Sequence, residues 1–431
     1  MKPTMVFVSA ACALAFSFTS PGKALATAPS CAERITRATV VPCALLASLG
    51  ARAEELGLES LEGRRTAAGL LLPSNPTLSL TGGYPVEPSL TEHPPLWSAA
   101  LSQEVEIAGQ RGARLGLVSA EQRAQQGRVL AARRAAAVSA LNAYFDALAA
   151  LEEARITDRL MAVSTALKNV AGARAQLGLA SDVDARLAEA ASTRLAQAHL
   201  EAQERVATTS AMLATMTGGD PAGTRPLLEG ELLPLAIVDA PASALVEAAL
   251  ARRADVAIAA AERDAQEKRA SVFERVRVPN PTFSVFARKD WIGEQSIGVG
   301  VSFPISLPAP VGRTYAGEIA EATTLARRSE TDEARVRRTV RLEVVQATEI
   351  AASRKLQVAL YTPDHVKKTE AALVSIAEEL EARRLPIREA LFTQQALVDF
   401  LAAYLAARRA LCTASVELAR AAGLPLERGA Q

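Results

Sequence analysis

The chain has 431 residues with 48 Lys+Arg against 47 Asp+Glu, a balance that gives no sign of a nucleic-acid or polybasic membrane contact. Aromatic residues make up only 4%, alanine dominates the apolar share, and a chain rich in Ala, Leu, Glu and Arg packs helices closely, as in a coiled coil. The length suits two or three ordinary domains or one large repeat-built unit.

The first 26 residues read as a signal peptide. Lys2 precedes an apolar run from Val6 to Phe18, and Ala24-Leu25-Ala26 is an A-x-A cleavage site. The run is too short to cross a bilayer, and no later stretch is expected to supply the ~18–20 apolar residues of a membrane helix. The mature chain is therefore expected to leave the cytoplasm without a transmembrane helix. Residues 27–42 form an N-terminal extension. Cys31 and Cys43 can close a short disulfide loop in an oxidising compartment or remain free. Ala28-Pro29-Ser30 is a poor context for lipid attachment to Cys31, and Cys412, within a helical pattern, reads as a small buried apolar residue.

A helix is predicted from about Cys43, ending at Leu70-Leu71-Leu72-Pro73, and a β-hairpin follows over 75–107. Its arms are joined by a Pro-rich polar connection after Tyr84, with Trp97 near the start of the second arm. Residues 110–176 are helix-forming throughout. Leu141, Tyr144, Leu148 and Leu151 alternate three- and four-residue steps, and Leu160, Val163, Leu167 and Val170 do so after a phase shift. An unbroken helix of that span is roughly 100 Å long. It breaks at 177–182, where Gly178 suits a C-cap and Ser181 or Asp182 the next N-cap, and a second helix runs to about Thr217. An irregular, Pro-rich connector occupies 219–247.

Helix resumes near Ser243 and leads to a second hairpin over 280–307. There Phe283, Val285 and Ala287 alternate with Thr282, Ser284 and Phe286, and Ile297, Val299 and Val301 alternate with Ser296, Gly298 and Gly300. A long helix to about Arg383, kinked at Pro363, a turn at 384–387, a helix over 388–422 and a tail at 424–431 complete the chain. Asn75-Pro76-Thr77 matches Asn280-Pro281-Thr282 at an offset of 205 residues, and Ala44, Asp184 and Gly218 match Ala249, Glu389 and Gly423 at the same offset. The chain is thus a tandem duplication, 43–218 and 248–423, each half being helix, hairpin, very long helix, turn, helix.

Each chain offers only four strands, with one apolar and one small or polar face. A membrane barrel must close and needs at least about eight strands, so one chain cannot close it; three copies give about twelve. Helices of roughly 100 Å cannot lie within a membrane of ~30 Å and must project from it. A barrel continued as a helical tube is a conduit. A non-conducting periplasmic coiled-coil scaffold, from a different functional class, remains open on the same residues. No catalytic constellation stands out. His93, His199 and His365 lack partners at ligand spacing, so neither an enzyme, a cofactor nor a metal site is expected.

The layout, with Asn-Pro-Thr before each hairpin and Arg252-Arg253-Ala254-Asp255 opening the second half, resembles the TolC-type outer-membrane efflux proteins over essentially the whole mature chain. The run Gln103-Glu104-Val105-Glu106-Ile107-Ala108-Gly109-Gln110-Arg111-Gly112 and the turn Gly178-Leu179-Ala180-Ser181-Asp182-Val183-Asp184 resemble its heavy-metal (cobalt-zinc-cadmium) subgroup, which also has a proline in the last long helix, as Pro363 here. The family's Arg-Pro-Asp is Arg253-Ala254-Asp255 in this chain. The resemblance implies a mainly α fold with a small β part: in a homotrimer, a twelve-stranded outer-membrane barrel above an α-helical tunnel that projects into the periplasm of a Gram-negative cell. It implies passive export of metal ions or small toxic compounds, a periplasmic adaptor protein, and an inner-membrane pump, often of the proton-driven resistance-nodulation-division class; a type I protein-secretion duct is the close variant. Carried over by position, the adaptor-docking tips are Gly178, Leu179, Ala180, Ser181 and Asp182, and Leu385, Pro386 and Ile387, with Arg383 where the family has glycine. Glu389 matches the first of the inward carboxylates that close the periplasmic mouth, while the next is Phe392. Three copies of Glu389 would form a ring that attracts cations.

Overall fold

The structure is a computed structural model and describes residues 31, 34–84, 95–223, 225–238, 240–290, 292–305, 307, 310–382 and 384–426. The predicted signal peptide, most of the Pro-rich connection with His93, Trp291 and Arg383 lie outside these residues.

A two-residue strand, β1 (Arg34–Ile35), opens the described chain, and Cys31 is disulfide-bonded to Cys43 with their Cα atoms 5.7 Å apart. Helix α1 (Val40–Ala47) yields at Ser48 to α2 (Leu49–Ala68), where Ser48 turns extended and its Oγ caps the Ala51 N–H at 3.1 Å. Strands β2 (Thr77–Gly83) and β3 (Leu96–Glu104) form the first hairpin, followed by α3 (Gln110–Gln176) and α4 (Asp182–Met216). With 67 residues α3 is about 100 Å long. The connector is more ordered than the sequence suggests: β4 (Leu227–Leu228) pairs parallel with β1. Helices α5 (Ala242–Arg252) and α6 (Ala254–Val276) lead to the hairpin β5 (Thr282–Lys289) and β6 (Gln295–Ser302). Then come α7 (Ala316–Ala359), α8 (Pro363–Glu381) and α9 (Ile387–Ala421).

The 205-residue offset recurs in geometry. Breaks at Ser48 and Arg253, N-caps at Ser181 and Pro386, and left-handed glycines Gly218 (φ 84°) and Gly423 (φ 67°) fall at matching positions. Four sequence expectations need correction. The single helix expected from about Cys43 to Pro73 is two, broken at Ser48 and ending at Ala68. The single helix expected from Ser243 is likewise two, because Arg253 has extended backbone (ψ 132°) and its side chain is drawn into a charged cluster. The expected kink at Pro363 is a full break: α7 ends, Thr362 caps the His365 N–H at 3.3 Å, and Pro363 takes the first helical position, where its missing N–H costs nothing. The fourth concerns α9, which is long and apolar enough to cross a membrane by length and composition. Along its length it supplies Ile387, Leu401, Cys412, Val416, Leu418 and Ala421 to three separate helical cores.

The phase shift along α3 separates two of those cores. Leu141, Tyr144 and Leu148 pack with Val40, Leu213, Leu235 and Val416, and the Tyr144 hydroxyl donates to the Glu229 carbonyl at 2.8 Å. Leu160 and Leu167 pack further along with Ala188, Ile376, Leu380 and Ile387. A third core joins Leu245 and Val256 to Val340, Val344 and Leu418. Arg253, only 9% exposed, ties this region together through ion pairs to Asp255 (2.6 Å) and Glu343 (2.7 Å) and a bond to the Ala421 carbonyl.

The four long strands form one antiparallel sheet in the order β2-β3-β5-β6. The central pairing, Leu101 opposite Val285 and Ala99 opposite Ala287, joins the two hairpins, and β2 and β6 are left as free edges.

Candidate functional sites: sheet faces and helical tips

The register settles what each face of the sheet carries. Leu78 and Leu80 on β2 align with Leu101 and Ala99 on β3, then Val285 and Ala287 on β5, then Val299 and Ile297 on β6. Trp97, Phe283 and Val301 extend the same face. Period-two geometry makes this apolar face continuous across all four strands. Nothing among the described residues covers it: Leu80 is 73% exposed, Ile297 85% and Val299 82%. The opposite face carries Ser79, Thr81, Ser98, Ala100, Ser102, Ser284, Gly298 and Gly300. Tyr84, also exposed, follows β2 at the end of the sheet remote from the helices.

At the far end of the long helices, α3 closes in a Schellman motif. Gly178 has φ 69°, Leu179 N–H bonds to the Arg174 carbonyl (2.8 Å) and Gly178 N–H to the Ala175 carbonyl (3.0 Å). Ser181 Oγ then accepts from the Val183 and Asp184 N–H groups at 3.1 and 3.3 Å, with Asp182 and Asp184 in the first turn of α4. The turn thus needs Gly178 and Ser181 for its geometry, and Leu179 stands free at its apex with Leu177 beside it, 57% and 73% exposed. Val183 and Leu187 add exposed apolar area on α4. Those two were missed in the sequence, although their four-residue spacing on one helix face was a readable sign.

The second tip differs. The Arg384 N–H returns to the Glu379 carbonyl at 3.0 Å, matching the Leu179 bond 205 residues earlier. Pro386 is exposed, but Ile387 is buried and Leu385 packs against the same core, as does Ala180 of the first tip. The residues named from sequence therefore split: Leu179, Ser181, Asp182 and Pro386 face out, while Ala180, Leu385 and Ile387 hold the tips on their helices. Arg388 pairs with Asp184 at 2.6 Å, and Arg174 donates to the Leu380 carbonyl, so the two tips are fastened to each other.

Glu389 is exposed in the first turn of α9, one turn from Phe392, which is 78% exposed. The neighbouring arginine is committed to Asp184, and no salt bridge reaches Glu389 among the described residues. Among those residues no group of three His, Cys, Asp or Glu is placed to hold a metal ion.

No protein-family model and no curated protein matches the sequence. Solved structures do match the fold. The outer-membrane protein VceC from Vibrio cholerae superposes with a TM-score of 0.72 at 15% identity, over 90% of this chain and 96% of that one. CusC, a transmembrane channel, gives 0.73 at 14% identity over 90% and 92%. The open-state outer-membrane channel MtrE from Neisseria gonorrhoeae gives 0.70 at 14% over 92% and 90%. At these identities the likeness is one of architecture, and the architecture is that of the TolC-like outer-membrane channels.

Proposed function

We propose that three copies of this chain form an outer-membrane exit duct that passively conducts small solutes from a periplasmic adaptor and an inner-membrane pump to the outside. The observation that carries this reading is the sheet: a continuous, uncovered apolar face, a small and polar opposite face, and two free edges. Nine large apolar side chains are exposed on it. At about 1.5–3 kcal/mol for full burial of each, and with these sites roughly half exposed, leaving them in water forgoes on the order of 10 kcal/mol per chain. Lipid around a closed barrel removes that cost and satisfies both edges, since the free edge of β6 in one copy pairs with β2 of the next. The small face then lines a lumen, and α3 carries the conduit about 100 Å away from the sheet, far beyond a ~30 Å membrane.

The helical ends take two roles in this reading. The first tip presents Leu177, Leu179 and Val183 as an apolar docking point for the adaptor, with Ser181 and Asp182 beside them. Glu389, which no salt bridge reaches among the described residues, supplies a ring of three carboxylates at the periplasmic mouth. Membrane fractionation tests the assembly. The protein is expected in the outer-membrane fraction as a trimer that survives mild detergent and separates into monomers on heating. A soluble periplasmic monomer would point to a helical scaffold in place of a duct.

A further inference from the structure

The small face of the sheet holds two charges among the described residues, Glu104 and Arg288, at opposite ends. Glu104 ends β3 on the side of the helices and accepts a bond from Asn280 Nδ2 at 2.8 Å. Arg288 lies one residue from the end of β5, beside the turn to β6, opposite Ser98 on β3 and Ser296 on β6. Its Nε donates to Ser296 Oγ at 3.1 Å, and no salt bridge reaches it among the described residues. The adjoining turn carries two acids, Asp290, whose Oδ1 accepts from the Ile292 and Glu294 N–H groups at 3.1 and 3.0 Å, and Glu294, and neither is paired with Arg288. Further along the same face Phe286 lies over Gly298, where an added Cβ would stand 2.5 Å from the ring. The guanidinium therefore borders a neutral wall of serine, glycine and phenylalanine, and its charge is directed at whatever moves along that wall.

We propose that Arg288 forms a cationic ring at the outward mouth of the duct, which favours anionic and neutral cargo and repels free divalent cations. The proposal rests on the trimeric duct described above. Twelve strands about 4.8 Å apart and tilted by about 40° enclose a barrel with a backbone radius of about 12 Å. Every point in such a lumen lies within roughly one Debye length, about 10 Å at 0.1 M salt, of an arginine side chain reaching in from the wall. Low-dielectric walls lined by one sign of charge focus the field, and potentials of the order of kT or more follow. A lumen potential of about one kT alters the ratio of monovalent cations to anions about sevenfold, and a divalent cation is disfavoured more steeply. With Glu389 at the other end, the conduit carries a ring of opposite sign at each mouth.

Reversal potentials in planar bilayers under a KCl gradient test this, with Glu389→Gln in every protein so that the acidic ring does not mask the outer one. Relative to Arg288, Arg288→Gln is expected to raise the potassium-to-chloride permeability ratio about sevenfold, for a change of about one kT, and Arg288→Glu to raise it further. Arg288→Cys adds a reversible form of the test: a trimethylammonium thiosulfonate should restore the Arg288 ratio and a sulfonate-bearing one should drive it towards cations. The background is quiet, because Cys31 and Cys43 are bonded to each other and the buried Cys412 thiol is pushed up to about 11 by desolvation. Conduction with an unchanged reversal potential in all these variants overturns the Arg288 ring and leaves the duct standing. Absence of conduction with and without the substitutions, in inserted protein, overturns both.

Discussion

Val285→Lys is expected to remove the trimer from the outer membrane, while Ser284→Lys, one residue away on the same strand, is expected to leave it there. Val285 lies on the apolar face between Leu101 and Val299, and Ser284 on the small face between Ser102 and Gly300. A lysine facing lipid near the bilayer midplane costs about 2–4 kcal/mol, so three copies impose about 6–12 kcal/mol on a trimer. That is comparable to the whole stability of many proteins. In the proposed duct a lysine at 284 faces a water-filled lumen, and Gly300 opposite has no side chain to displace. It forfeits one 3.3 Å bond from Ser284 Oγ to the Gly300 carbonyl, an effect of about 1 kcal/mol. If the sheet were a soluble element, Val285, 55% exposed, would accept lysine as readily as Ser284 does. Quantifying heat-dissociable trimer in outer-membrane fractions of the two variants separates these cases. Equal amounts of trimer would contradict the membrane face.

Export should be lost, with trimers intact, when Leu177 and Leu179 are both replaced by glutamate. The two side chains are 73% and 57% exposed and belong to none of the three cores, so the protomer loses little by the change. A partner that buries them loses about 2–4 kcal/mol per tip, a factor of about 30 to 1,000 in affinity, and must also desolvate the new charge. Ser181 calls for a separate reading. A bulky charge there would also remove the cap on Val183 and Asp184, about 1 kcal/mol, and fray the start of α4. Ser181→Asn preserves the cap and is expected to retain trimers and export. A resistance or efflux assay beside a trimer blot checks both; normal export from the double leucine variant would remove this tip as the docking point.

Much of this was legible in the sequence because the chain states its plan twice. Asn75-Pro76-Thr77 and Asn280-Pro281-Thr282 announce two hairpins, and the serine that caps α4 and the proline that opens α9 stand 205 positions apart in the text as in space. Alternation along β5 and β6 assigned the faces correctly because period two leaves no ambiguity. What was illegible depends on contacts distant in sequence. Nothing at Arg253 signals a helix break; the residue turns extended where Asp255, Glu343 and the Ala421 carbonyl gather its guanidinium. The pairing of β3 with β5, which makes one sheet of two hairpins, has no local signature. Nor does the fate of Ile387: an apolar residue at a turn reads equally as a docking knob or a core plug, and Leu160, Leu380 and Ala390 make it the second. The apolar character of α9 was underread because alanine is a weak hydrophobe residue by residue, yet over 35 residues it accumulates.

The duct itself is tested most directly by conductance. Purified trimer in a planar bilayer is predicted to show discrete openings that are small in the wild type and larger in Glu389→Ala, because in the proposed duct the substitution removes three carboxylates from the periplasmic mouth and relaxes the restriction there. Inserted trimers of both proteins that pass no current at any applied voltage would contradict the account.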